Sequence, residues 1–281
     1  MWSFWTLFRK HLHESKWMLG LSAVALFALG WLFVYIVSVN ETEMLKMLSG
    51  TSEEARGRFR FLRSMGLDDQ PASVTFIVTF WKRMPLFMLT ILLWAISRGS
   101  IAVAAEVERG TLDMVLSRPV SRAGYMTSQV VFGIFGLLVL GGAVMLGTWV
   151  AARYNILRQP PTFRDLSKPA LNLALLGLPV FGYTLLASAL DHVRWRPNLI
   201  GSVLTLGGFI AQVVADNPVF KDAVWKPWLE RICVFNAFEP VDAVTKMETL
   251  AMHLGILAGV GFGFIALAYV AFVVRDLPAN G

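Results

Sequence analysis

WMLGLSAVALFALGWLFVYIVSV, residues 17–39, runs for 23 positions without an Asp, Glu, Lys, Arg or His. At a helical rise of 1.5 Å per residue it reaches roughly 35 Å, enough to cross a hydrocarbon layer of about 30 Å. A helix also satisfies its own backbone groups where no water can. The stretch therefore reads as a membrane span, and the fold depends on how many more there are.

Working outward, five further stretches qualify. They are residues 85–105, with Arg98 as the single charge; 130–152; 170–190, with Pro179 inside as an expected kink; 199–215, the shortest; and 251–274, with His253 near one end. The whole chain agrees: 56% of its 281 residues are apolar and 16% charged, with a mean hydropathy of +0.60. That is more apolar surface than one soluble core could hide. The expected fold is an all-α integral membrane protein, a single transmembrane domain over 1–281 with six transmembrane helices.

Ahead of the first span, MWSFWTLFRKHLHESK (1–16) sets Trp2, Trp5, Phe8 and Leu12 at three- and four-residue spacing opposite Arg9, Lys10 and His13. That pattern predicts an N-terminal amphipathic interfacial helix lying on the inner membrane surface. AVA at 23–25 has the look of a signal-peptide cleavage site, but the apolar run continues for 14 residues beyond it, which favours a retained anchor. Six spans put both termini on one side. Arg9, Lys10, Lys16, Arg194 and Arg196 make that side cytoplasmic, although Arg153, Arg158, Arg164 and Lys168 in the opposite loop run against the rule. The expected location is the cell membrane, multi-pass, in a bacterial plasma (inner) membrane. The long loops 40–84 and 216–250 then face outward, each with short surface helices. AVWKPWLERICVF (223–235), with Trp225 and Trp228, reads either as an interfacial segment or as an irregular loop.

Several chemistries find no residues here. Cys233 is the only cysteine, so an intrachain disulfide or a cysteine metal cluster is impossible. GLPVFGYT (177–184) has P-loop glycine spacing, but Tyr183 stands where a phosphate-binding lysine would be, inside a span. GFGFIA (261–266) fails as a dinucleotide fingerprint for the same contextual reason. His11 and His13, two apart, lie on different helix faces. No acid, base or metal set assembles, so no enzyme is expected, no cofactor in this chain, and no nucleic-acid partner. The spans hold no internal Asp or Glu, which weighs against an ion-driven secondary carrier. Arg98 is expected to snorkel to the interface, with pairing inside the bundle as the alternative. Small residues recur every four positions at Ala251, Gly255, Gly259 and Gly263, and again at Gly207, Ala211 and Ala215. Such stripes permit close helix packing, within the subunit or against a second copy.

AEVERGTLDMVLSRPVSR (105–122) stands out as a charged island. Gly110 breaks the preceding helix, Thr111 is a good N-cap, Asp113 favours the positive end of a new helix, and Pro119 stops it. A helix of about two turns, 112–118, would carry Leu112, Val115 and Leu116 on one face, with Glu106, Glu108, Arg109, Arg118 and Arg122 around it. Such a helix suits docking in a groove on a soluble partner or resting on the headgroups; spacing does not choose between them.

RGSIAVAAEVERGTLDMVLSRPVSRAGYMTSQV (98–130) resembles the cytoplasmic signature of ABC-2-type transporter permeases, in which a Glu-x-Glu-Arg-Gly-Thr-Leu run leads through a short helix to Pro-Val-Ser-Arg. Here these are Glu106, Glu108, Arg109, Gly110, Thr111 and Leu112, then Pro119, Val120, Ser121 and Arg122. Outside the motif the similarity is one of layout: a basic amphipathic N-terminus, six spans and a closing VVRD at 273–276. The resemblance implies that the island is a coupling helix docking a separate ABC-type ATPase subunit, which supplies ATP and Mg. It implies two such ATPases and a second permease copy, as a homodimer or a paralogous heterodimer, surrounded by membrane lipid. The chain would then be the permease subunit of an ATP-binding cassette transporter. The competing readings are a non-transporting membrane anchor or regulator of an ATPase, and a secondary carrier.

Overall fold

The computed structural model describes residues 2–49, 77–78, 81–82, 84–111, 121–155, 160–216, 225–245 and 247–274. Helix α1 is Trp2–Ser49. Helix α2, Pro85–Ser100, opens on a proline, which costs nothing at a helix start. It runs on through a π-helical turn, Ile101–Ala105, into a last α-helical turn, Glu106–Glu108. Helix α3 is Arg122–Tyr154, capped by Ser121, whose Oγ accepts from the Gly124 amide at 3.0 Å. Helix α4, Phe163–Leu190, starts on a reciprocal Thr162–Asp165 capping box and passes through Pro169 and Pro179 without a break. Then come α5 (Trp195–Asp216), α6 (Lys226–Ile232), a 3₁₀ turn (Val234–Ala237), α7 (Pro240–Thr245) and α8 (Met247–Val274). Among the described residues there is no strand. Among the same residues six helices are long and apolar enough to cross a membrane: Phe4–Ile36, Pro85–Glu108, Arg122–Tyr154, Phe163–Leu190, Trp195–Ala215 and Thr249–Val274. The chain is a multi-pass, membrane-embedded helical protein.

Two helices form the centre. The most apolar windows of α2 and α4 are 67% and 72% buried, against 22–28% for α1, α5 and α8, whose outer faces are left for lipid. Helix α1 lies along α3, and α4 packs on α2, α3, α5 and α8. Glycines set the closest approaches. A Cβ on Gly147 would stand 2.2 Å from the Phe27 carbonyl oxygen, so α1 and α3 touch backbone to side. Added carbons on Gly136 and Gly133 would strike Trp94 and Phe181, and those on Gly182 and Gly261 would each strike the facing helix. In lipid, where apolar contact alone gives no preference for a neighbouring helix, such close packing is what holds a bundle together.

Several expectations change or narrow here, among them the start of the first long loop, since α1 stays helical through residues 40–49. Residues 1–16 are not a separate interfacial helix: they are the first turns of α1, which continues without interruption into the first span. Nor do they present the expected faces, since Phe8 packs on Phe132 and Phe135 at 5.6 and 5.7 Å while His11 is buried and Trp5 exposed. A Cβ added at Gly255, Gly259 or Gly263 would meet no neighbouring helix among the described residues within 4 Å, so the stripe does not pack there; the packed edge of α8 is Leu257, Gly261, Ile265, Ala268 and Phe272. The second long loop does more than lie on the surface. Phe235 and Phe238 are buried, and Asn172 and Gln212 donate to the carbonyls of Ala237 and Phe235 at 3.1 and 3.2 Å, stitching 233–238 into the bundle end. Trp225 and Trp228 remain exposed on its rim. An ion pair between Lys82 and Glu239 joins the two long loops. It agrees with the topology, which puts both at one end.

Candidate functional site

Of the residues expected to matter, Arg98, Glu106, Glu108, Arg109, Gly110 and Thr111 lie at the foot of α2, the end from which the island emerges. Arg98 sits nearly three turns before that end and is 3% exposed. It does not snorkel. Its Nη1 donates to Ser15 Oγ at 2.9 Å, its Nη2 to Gln129 Oε1 at 3.0 Å, and its guanidinium lies 4.7 Å from the Phe132 ring centroid. The first-choice expectation failed because partners from α1 and α3 stand at the depth of the charge. A buried guanidinium with two charge-assisted bonds and an aromatic face has less reason to reach for water. Its Nε has no partner among the described residues.

Below Arg98 comes the π turn. A π turn bonds i to i+5 where an α-helix bonds i to i+4, so one residue is accommodated extra and some backbone groups lose their regular partners. Neighbouring spans supply substitutes. From α3, Tyr125 Oη donates to the Ala102 carbonyl at 2.6 Å, and Gln129 Nε2 donates to the same oxygen at 3.1 Å and to Tyr125 Oη at 2.9 Å. From α4, Ser188 Oγ accepts from the amides of Val103 and Ala104 at 3.1 and 2.9 Å and donates to the Ser100 carbonyl at 3.0 Å. Ser188 and Tyr125 are 0% exposed and Gln129 2%, so these bonds lie away from bulk solvent. His11 of α1 closes the far side against Ser128 Oγ at 3.3 Å. The Ser128 proton is committed to the Tyr125 carbonyl at 2.7 Å, which makes the imidazole Nε2 the donor.

The island begins where this cluster ends. Glu106 is 4% exposed and belongs to the interior, not to an outer charged rim. Its carboxylate takes Lys10 Nζ at 3.1 Å and the Thr111 hydroxyl, which also reaches the Glu106 carbonyl at 3.3 Å. Glu108, exposed, accepts from the Arg194 amide at 2.9 Å and so ties the foot of α2 to the connection between α4 and α5. Arg109 is exposed. Gly110 has φ +65°, the left-handed conformation that a turn out of the helix needs and that only glycine adopts freely. Leu112, Val115, Leu116, Arg118 and Pro119 lie outside the described residues. Ser121 caps α3 and Arg122 is its first residue.

Sequence reasoning missed Ser15, Tyr125, Ser128, Gln129 and Ser188. Each is an ordinary polar residue near a span's end; only the demand of Arg98 for partners at its own depth hinted at them. Among the described residues no group of three or more His, Cys, Asp or Glu could hold a metal ion. No family model matches the chain and no curated protein matches it. The family reading rests on the 98–130 motif.

Proposed function

We propose that this chain is the membrane-spanning permease subunit of an ABC-2-type ATP-binding cassette transporter. In that reading, segment 106–122 docks on a separate ATPase subunit, which hydrolyses Mg-bound ATP. A second permease copy completes the path, and the assembly sits in a bacterial plasma membrane with both termini cytoplasmic. One observation carries the reading beyond the motif. The point where the segment leaves α2 is bonded to α1 through Lys10, to α3 through Tyr125 and Gln129, to α4 through Ser188, and to the α4–α5 connection through Glu108. A push delivered to such a segment reaches four spans at once, as a coupling device requires.

The test is co-expression with a Walker-motif ATPase, followed by co-purification and transport-linked hydrolysis in vesicles. Leu112 and Leu116 would fill a pocket of the ATPase, where truncation at a hot spot costs more than 1 kcal/mol. Leu112→Ala with Leu116→Ala is therefore expected to weaken association about tenfold or more, since 1.4 kcal/mol is a factor of ten. Unchanged association and hydrolysis in that double variant overturn the docking role. Association without any transported substrate would favour the membrane anchor or regulator instead.

A further inference from the structure

We propose that Ile101–Ala105 is a two-register hinge in the second span, held in its π form by Ser188 of α4, so that α4 sets the angular position of Glu106 and of everything that follows it. A π turn inside an α-helix is the less common register and needs neighbours that reward it. Here the reward comes from two sides: one hydroxyl, Ser188, serves two amides and one carbonyl of the turn, while Tyr125 and Gln129 share the Ala102 carbonyl. All three side chains are buried, so the bonds are made in a medium where an unmet amide is costly.

The alternative register is well defined. Without the Ser188 hydroxyl the turn can close to α geometry, which completes the same revolution one residue earlier. With 85–100 held by its packing, residue 105 then takes the angular place that residue 106 has in the π form. Glu106 swings about 100° away from Lys10, one residue's rotation at 3.6 residues per turn. The Lys10–Glu106 pair, at 3.1 Å in the π register, is thus a built-in reporter of which register is occupied. This inference concerns the chain by itself and does not depend on what docks on 106–122.

Carbodiimide coupling of amines to contacting carboxylates reads the register directly, with cross-linked peptides quantified by mass spectrometry on the full chain in membranes. The parent is expected to couple Lys10 to Glu106. Ser188→Ala is expected to lower that coupling at least fivefold, and Ser188→Thr, which keeps the hydroxyl, to retain most of it. A carboxylate moved back one position, by Ala105→Glu with Glu106→Ala, should couple poorly beside Ser188 and recover beside Ser188→Ala. Should Ser188→Ala fail to insert, Tyr125→Phe removes one bond from the other side of the turn and is expected to lower Lys10–Glu106 coupling in the same direction. Equal coupling in the parent and in Ser188→Ala, or a recovered 105 carboxylate that shows no dependence on Ser188, overturns the hinge.

Discussion

Arg98 carries a charge that a lone helix would have to lift to the interface, because an arginine at the centre of a membrane helix costs about 2.5 to 3.5 kcal/mol to insert. The bundle keeps it buried by offering Ser15, Gln129 and the face of Phe132. Removing a partner and removing the charge therefore have different consequences. Gln129→Leu strips a charge-assisted bond, worth about 1.5 to 3 kcal/mol, and leaves the guanidinium buried and half-satisfied. Arg98→Met removes the group that needed satisfying. Thermal unfolding in detergent should rank Gln129→Leu as the less stable variant; the opposite order would mean that Arg98 is held by something other than this pair of bonds. Glu106 makes the same point in reverse. Its spacing in the motif placed it on a charged rim, and its 4% exposure places it in the bundle's foot, because Lys10 of α1 lies within reach.

At the scale of helices, glycine position decides which faces meet. Gly147 and Gly30 let α1 and α3 approach until a Cβ on either would stand 2.2 to 3.0 Å from the other helix. Gly147→Ala must push on the Phe27 backbone, which cannot swing aside as a side chain can, and overpacking of this kind typically costs about 1–3 kcal/mol. A Cβ on Gly259 would meet nothing among the described residues within 4 Å, so Gly259→Leu should leave the folded chain's melting temperature near that of the parent. Gel filtration and thermal melts of the two variants separate these outcomes. A Gly259→Leu chain that melts as the parent does yet loses self-association would mark the stripe as a contact with a second copy; unchanged assembly would mark it as lipid-facing. The continuity of α1 belongs at this scale too. A break at residue 16 was expected where basic residues give way to apolar ones, yet nothing between Trp2 and the first span stops a helix, and Lys10, His11 and Ser15 find partners on α2 and α3.

At the scale of the whole molecule, the two ends of the bundle are set apart by what they carry. Six successive spans put the foot of α2, the start of α3 and the α4–α5 connection at one end, and Lys82 and Glu239, which pair, at the other. The basic residues at 9, 10, 16, 194 and 196 favour a cytoplasmic foot. Cysteine labelling of intact cells with an impermeant maleimide should modify Ser52→Cys and spare Ser117→Cys. Cys233 is buried and does not compete. Modification of Ser117→Cys alone would invert the orientation and with it the docking role of the segment.

Six helices long and apolar enough to cross a membrane and the turn at Gly110 were readable from residue order, because crossing a bilayer is a demand on length and hydropathy and a left-handed turn is a demand on one residue's backbone. Tertiary structure alone decided the rest. A Gly on an open stripe and a Gly in a helix seam both sit among apolar sequence neighbours, since lipid and protein are equally apolar; Gly259 and Gly261 differ in what the described helices place opposite them. Nothing local to Ile101–Ala105 announces a π turn, because its stability is supplied by Tyr125, Gln129 and Ser188, as far as 88 positions away along the chain. Hydropathy is a property of a segment, whereas the satisfaction of a buried charge or a displaced backbone amide is a property of the helices that surround it.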